Sequence, residues 1–506
     1  MNPFTERRLM NQARRYLLLG ICAAVLLEGC AGRYFQDVAE LPETPPRYAM
    51  DRLPVSEYWT GVVFNGGKIG FTHFVIKPSK QVKGHFEIES QAFMHFRFLM
   101  VDKRVSLISW DLVDRDLNLK RFSYDYDIDG SRLKLSGSFD GGTLTIARSS
   151  GGASTEEKAD VQGGLYPGSA IYLYPLLHGL EIGRRYEYRI YDSEVQGISE
   201  VSQEVLAYQK SELFSGNAFK LRTRYQGQEI NTWLDDKGLP VLEMALGGVL
   251  ISGIENEEQA KRYLVESSLS KNENLLEFSL IKVTSPIDDP SSIRYMQIFL
   301  DGVPEGASIP DGACQQCRPE GKRISCRIRS AAPGTGPSLK AADRAPEIYL
   351  KPSYSVPSSS TEIRKTAKEI AAGSASQDGQ IRAVLNWMEK NIAKEPVDVF
   401  TALDVLSKRK AECQGHAYLY AALARSLGIP TRIANGLVYS KEFKGFLYHA
   451  WAESFVKGEW ITVDPTLNQM PADATHIKLV EGETLASLVP MVNLMGKIGI
   501  EIVEAR

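Results

Sequence analysis

Around residues 353–362, SYSVPSSSTE, the hydrophobic repeat of this chain changes period, and that change limits the fold more than any other feature. Before it, apolar residues recur at every second position. In RFSYDYDIDGSRLKLSGSF, Phe122, Tyr124, Tyr126 and Ile128 alternate with polar residues, the chain turns at Asp129-Gly130, and Leu133 and Leu135 resume the alternation. WTGVVFNGGKIGFTHFVI sets two β-rich runs on either side of Asn65-Gly66, and FDGGTLTIA, RRYEYRIYD and INTWLDDKGLPVLEM repeat the theme. Such alternation, broken by tight turns, predicts a meandering antiparallel sheet with one wet face. After the boundary, TEIRKTAKEIAAG, DGQIRAVLNWMEKNIAK and FTALDVLSKRK carry helical periodicity, so a different kind of domain begins there.

A chain of 506 residues is long for one core and suggests about three domains at ~150 residues each. Residues 1–29 read as a leader: Arg7, Arg8, Arg14 and Arg15 precede the apolar run YLLLGICAAVLL. As a helix that run reaches only ~18 Å, short of a ~30 Å hydrocarbon core. It ends in Leu27-Glu28-Gly29-Cys30-Ala31, which resembles a bacterial lipobox and makes Cys30 the lipidation site. The alternative is an ordinary secretory peptide cut nearby; under either reading the protein leaves the cytoplasm. The lipobox implies a periplasmic protein of the cell envelope, anchored to the outer membrane through its lipid. Residues 30–54, with Pro42, Pro45, Pro46 and Pro54, read as a tether. Residues 55–285 form the antiparallel β-rich domain, 286–352 a β-leaning connector, and 353–506 the domain that carries the chemistry.

The formal charge of −3 supplies no basic excess to neutralise phosphates, which argues against a nucleic-acid partner. No GxxxxGK[ST] loop, HExxH or EF-hand pattern occurs. Cys314, Cys317 and Cys326 lack a fourth zinc ligand nearby, so a local disulfide that leaves one odd thiol is expected, and no metal. His73, His85, His95 and His178 are scattered without ligand spacing.

Cys413 opens the most apolar helical segment, where Ala417, Tyr420, Ala421, Ala424 and Leu427 share a face before Gly428 and Pro430 end it. A thiol at a helix N-terminus meets unpaired N–H groups and the positive end of the dipole, which favour thiolate and could hold an oxyanion. Further on, FLYHAWAESFVKGEWITVDPT reads as a hairpin. A two-residue turn at Lys457-Gly458 sets Val456 opposite Glu459 and Asp464 opposite Trp451, on His449's face and diagonal to it. A carboxylate can then hold one imidazole nitrogen while the other faces a thiol.

Four segments, ECQGHAYLYAALARSLGIPTRIANGLVY, YHAWAES, GEWITVDPT and DATHIKLVEG, closely resemble the bacterial transglutaminase-like superfamily. The resemblance implies a C-terminal α+β papain-like core behind an N-terminal all-β region, with Cys413 as nucleophile, His449 as general base and Asp464 as orienter. It implies no metal or organic cofactor. The family's Gly-Asp before the cysteine is Ala411-Glu412 here, and its Asn-Glu after it is Gln414-Gly415. His416 either contacts the thiol or a substrate, or is a helix-face residue satisfied by hydrogen bonds. Trp451 either walls the cleft or packs in the core.

Three functions follow from these residues. The first is an envelope-anchored thiol enzyme that acts on amide bonds of a protein or peptide substrate through an acyl-enzyme, as peptidase or amidase, or by transamidation. The second is a non-catalytic binding lipoprotein that uses the β-rich half. The third is an assembly factor that pairs a partner's strand with the sheet edge. A complete triad favours the first.

Overall fold

The computed structural model describes residues 34–506 apart from 65, 99–100, 151–152, 246–247, 270–279, 304–308, 313, 331–345, 398, 484–486, 488–489, 492–493 and 495. The expected leader and Cys30 lie outside the described residues. Among these, no helix is long and apolar enough to cross a membrane.

The first half builds one antiparallel sheet of fifteen strands. Its hairpins close where the sequence turns: Ile128 pairs with Ser131, Asp140 with Thr143 and Tyr225 with Gln228. Each two-residue turn has two left-handed residues, Asp129-Gly130, Gly141-Gly142 and Gln226-Gly227, the geometry whose twist matches the flanking strands. Alternation becomes sidedness. Along Ser131–Asp140, Ser131, Leu133 and Leu135 are buried while Arg132, Lys134 and Ser136 face water.

The meander holds in two runs, Glu57–Phe64 through Ala153–Asp160 and Gly197–Ser211 through Leu250–Glu255. These join because Leu250–Glu255 pairs with Glu57–Phe64, a long-range closure that period-2 pattern does not encode. Leu133, Leu135, Leu144, Val205 and Leu221 share one core with Leu173 and Leu176 of the helix Ala170–His178. Each such leucine contributes roughly 2 kcal/mol by leaving water.

Two expectations about connecting segments need correction. Part of the proline-rich stretch read as a tether is folded onto the sheet: Phe35–Asp37 pairs with the strand Gly197–Ser211, Phe35 stacks on Trp233 at 4.6 Å, and Met50 enters the core. An open sheet edge accepts any extended segment that brings apolar side chains, whatever the prolines beside it. The β-leaning connector is a sheet of its own, with strands Tyr295–Asp301, Gln315–Glu320 and Arg323–Arg329 completed by Gly499–Ala505 from the chain's far end. Facing residues Cys317 and Cys326 form the expected local disulfide, and Cys314 stands outside it. Ile298, Leu300 and Ile328 of this sheet share a core with Leu437, Phe446 and Ile477 of the next one, so connector and C-terminal domain are packed together.

The C-terminal domain sets helices against a second mixed-length antiparallel sheet. Thr361–Ala371, Gln377–Asn391 and Ala402–Lys408 are the three helices read from periodicity. Ser360, Ser376 and Thr401 cap them through side-chain oxygens. Cys413–Ser426 is buried on all sides from Gly415 to Arg425 and packs on the strands Thr431–Ser440 and Gly445–Val456. The two halves touch through named bonds: Ser150 Oγ donates to Asp404 at 3.2 Å, and Lys408 Nζ to Ser131 Oγ at 2.5 Å.

Candidate active site

Cys413 is the first residue of its helix, as the sequence predicts, and Glu412 is its cap. The Glu412 carboxylate accepts from the N–H of Gln414 at 3.0 Å and of Gly415 at 3.2 Å, and from the Cys413 thiol at 3.1 Å. Glutamate therefore takes over the capping work of the aspartate expected there. Gly415 has no room for a side chain: a Cβ would meet Val399 Cγ2 at 2.5 Å and Ala411 Cβ at 2.6 Å.

This cap reverses the expected thiol chemistry. A low thiol pKa follows only if the N–H groups at the helix start are unpaired. Instead, burial pushes the Cys413 thiol well above its ordinary value, the Glu412 charge and hydrogen bond add to that, and Asp464 adds a little more. The Ala450 N–H, directed at the sulfur, opposes the shift. The helix that Cys413 opens packs on the strand that carries His449.

His449 stands mid-strand in Gly445–Val456. The hairpin keeps the register that its turn dictates, from Val456 opposite Glu459 to Ala452 opposite Val463, with Lys457 and Gly458 both left-handed. The expected next pair, Trp451 with Asp464, is not made. The strand ends at Val463, and Asp464 bridges to Gln469. Pro465 follows it, and Asp464 Oδ1 accepts from Thr466 N at 2.7 Å and Leu467 N at 3.0 Å, an Asx turn that curls the chain away. The carboxylate nevertheless reaches the imidazole, with His449 Nε2 at 2.8 Å from Asp464 Oδ2.

A second imidazole, which sequence reasoning passed over, holds the same oxygen. His476 Nε2 lies 3.0 Å from Asp464 Oδ2, and its Nδ1 lies 3.1 Å from Asp473 O and 3.3 Å from Asp473 Oδ1. Burial works against a charged ring, but the Asp464 and Asp473 hydrogen bonds outweigh it and push His476 up to about 9. Burial likewise raises Asp464, yet His449 and then His476 outweigh it and hold that carboxyl well below the usual range. The only signal in the sequence was a histidine closing D-A-T-H just before an apolar strand, a pattern that buried structural histidines share.

The ligand atoms of His449, Asp464 and His476 lie within 4.8 Å of one another, a spacing that a metal ion could use. Both Nε2 atoms are already spent on one carboxylate oxygen, and His476's other nitrogen on Asp473, so the trio fits a hydrogen-bonded relay. His416 is buried one turn beyond Cys413 and bonds through Nδ1 to the Glu412 carbonyl at 2.9 Å, while its Nε2 is buried with no hydrogen-bond partner among the described residues, so the helix-face reading is met at one nitrogen only. Trp451 is buried, with its ring 6.3 Å from that of His449 and 5.2 Å from that of His476.

A family model of the transglutaminase-like superfamily matches residues 364–465. No curated protein matches the chain. Among solved structures it is similar to a candidate cysteine protease from Cytophaga hutchinsonii, at 18% identity over 41% of this chain and 82% of that one, with a TM-score of 0.26. It is also similar to a beta-barrel-like protein from Brucella abortus, at 10% identity over 42% of this chain and 100% of that one, with a TM-score of 0.31. A candidate protease from Parabacteroides distasonis matches at 10% identity over 78% and 69% of the two chains, with a TM-score of 0.20. Scores this low bear on neither fold nor site. Residues 364–465, the span that holds Cys413, His449 and Asp464, form a transglutaminase-like domain.

Proposed function

We propose that this domain is a thiol enzyme acting on amide bonds of a protein or peptide substrate, with Cys413 as nucleophile, His449 as general base and Asp464 as its orienter. The observation that carries the reading is the His449 Nε2–Asp464 Oδ2 hydrogen bond at 2.8 Å, on the strand against which the helix opened by Cys413 packs. With Nε2 engaged, Nδ1 is the nitrogen left to take the thiol proton. The sulfur forms a bond to the carbonyl carbon, and His449 returns the proton to the departing amine as the C–N bond breaks. Water, deprotonated by the same imidazole, then cleaves the thioester to a carboxylate and restores the thiol. An amine in place of water would give transamidation; hydrolysis is favoured, because no calcium loop marks a regulated crosslinking enzyme in the sequence. We further propose that Cys30 anchors the chain to the envelope membrane, so that Cys30→Ala moves the protein into the soluble fraction.

A second reading has one observation in its favour. The Glu412 carboxylate occupies two N–H groups that an oxyanion would need, and it holds the thiol proton. A binding or assembly lipoprotein with an inactive core would keep such an arrangement. In an enzyme, substrate entry must turn Glu412 aside. The deciding experiment is alkylation of Cys413 across pH, read by peptide mass spectrometry in wild type and His449→Ala. Labelling below about pH 8 that falls on losing His449 supports the enzyme, whereas labelling that starts near an ordinary thiol pKa of ~8.5 and ignores His449 supports the inactive core.

A further inference from the structure

We propose that His476 is a positioning residue of this site, an imidazole that donates from both nitrogens, shares Asp464 Oδ2 with His449 and fixes the orientation and charge of that carboxylate. The proposal rests on the reading of Cys413 and His449 as nucleophile and base. His476 lies beyond the matched residues 364–465, and what it does is read from its hydrogen bonds alone.

The argument begins with donors and acceptors. A neutral imidazole carries one N–H and one lone pair. His476 faces acceptors at both nitrogens: the Asp464 carboxylate at Nε2, and the Asp473 carbonyl and carboxylate at Nδ1. A neutral ring would set a lone pair against an oxygen at one end, inside a site where its side chain is 1% exposed. The doubly protonated ring satisfies both ends, and the upward displacement of its pKa agrees. The same logic assigns His449 its tautomer: Nε2 donates to Asp464, which leaves the Nδ1 lone pair for the thiol proton.

Asp473 is itself tied down. It accepts from Gln469 Nε2 at 2.8 Å, Thr475 N at 2.9 Å and Thr475 Oγ1 at 2.6 Å. Asp464 has Oδ1 committed to Thr466 and Leu467, so Oδ2 is the oxygen that both rings must share. The groups facing His476 are therefore Asp464 from the turn after the hairpin, Asp473 from its own segment, and His449 and Trp451 from the neighbouring strand. Two carboxylates and one cation leave a single net negative charge behind the base. Without the cation, Asp464 would give its whole pull to the His449 proton and keep that ring charged to higher pH, where a base is needed neutral.

Imidazole C2 hydrogen–deuterium exchange, resolved by residue with mass spectrometry on the full chain, titrates His476 and His449 separately. His476 in wild type is expected to stay charged past about pH 8. In His476→Gln, which keeps one N–H donor without charge, the His449 midpoint is expected to rise by about one pH unit. The pH profile of Cys413 labelling should move with it, and its maximum rate should drop about tenfold as Asp464 loses its second tether. Asp473→Asn should lower the His476 midpoint with a smaller effect on His449. A His476 that is neutral at pH 7 in wild type overturns the proposal without any variant. So does a His449 midpoint unmoved in a folded His476→Gln protein. If Cys413 is inert at every pH while His476 titrates as expected, the enzyme reading fails and the positioning role fails with it, leaving a structural cation.

Discussion

The two halves of this protein bury carboxylates in opposite ways. In the N-terminal sheet the partners are hydroxyls: Tyr124 donates to Asp111 at 2.5 Å, and Tyr172 and Thr232 donate to Glu243. Burial wins there. It pushes Asp111 up to about 7 and raises Glu243 and Glu194. In the C-terminal domain the partners are cations. His449 and His476 hold Asp464 down, and Lys478 and Arg432 hold Glu453 down to about 2 against the same burial. A neutral acid that donates and accepts locally suits a sheet interior, while a fixed anion is what an imidazole base needs behind it. Charge is kept where the chemistry is and shed where it is not.

The contrast fails most visibly if Asp464 is not an obligatory anion. Asp464→Asn removes the charge under two imidazoles, and taking one partner from a buried pair costs on the order of 3–5 kcal/mol. Thermal unfolding at neutral pH should show that loss, and Cys413 labelling should fall with it; a variant as stable as wild type breaks the comparison. Wild-type stability should also follow His476. A group whose pKa is raised on folding contributes fully below its unfolded value of ~6.5. That contribution is lost as pH rises through about 9. Asp111 has the reverse chemistry with the same direction in pH. Its folded pKa lies above the unfolded one, so its burial becomes costly as pH climbs from about 4 through 7. Asp111→Asn should therefore stabilise the chain at pH 8 by up to about 4 kcal/mol and do little at pH 4, read from denaturation midpoints.

Each half was legible for a different reason. Hairpins and face alternation in the sheet follow from local rules, so Asp129-Gly130 and Leu133/Leu135 fell where expected. The closing pair between Leu250–Glu255 and Glu57–Phe64, and the last strand that completes the connector sheet, are distant in sequence and left no periodic trace. In the site, Cys413, His449 and Asp464 were singled out because a helix-opening cysteine, a strand histidine and a DP-turn aspartate each have a recognisable setting, and the structure pairs the last two. Glu412 and His476 were missed as partners because their roles exist only through what they touch. Glu412 was weighed as a flank of the cysteine, and burial, with the Glu412 charge and hydrogen bond added to it, reversed the pKa argued from the helix dipole alone.

Glu412→Gln sharpens the contrast inside the C-terminal domain, where an anion is set against the Cys413 thiol. A Gln oxygen can still accept from one of the Gln414 and Gly415 N–H groups, so the helix should keep its start. The negative charge beside the sulfur is gone. Cys413 labelling at pH 7 should rise about tenfold, equivalent to one pKa unit, and a rate unchanged or lower would mean that burial alone sets the thiol.

The smallest expected effect concerns the seam between the halves. Asp404 accepts from Thr401 N at 2.9 Å and Phe400 N at 3.2 Å to cap its helix, and Ser150 from the β half adds a hydroxyl at 3.2 Å. Ser150→Ala leaves the cap bonds intact and removes one cross-domain hydrogen bond, a loss of about 1 kcal/mol. Tyr354 and Phe400 also pack against the β core, so the seam has apolar support beyond this bond. If the halves unfold as one unit, a single urea transition should shift to lower midpoint with its slope unchanged. Two separated transitions, with only one displaced, would mean that the sheet and the transglutaminase-like domain are independently stable. The opposite charge economies of the two cores would then be tuned separately rather than balanced within one fold.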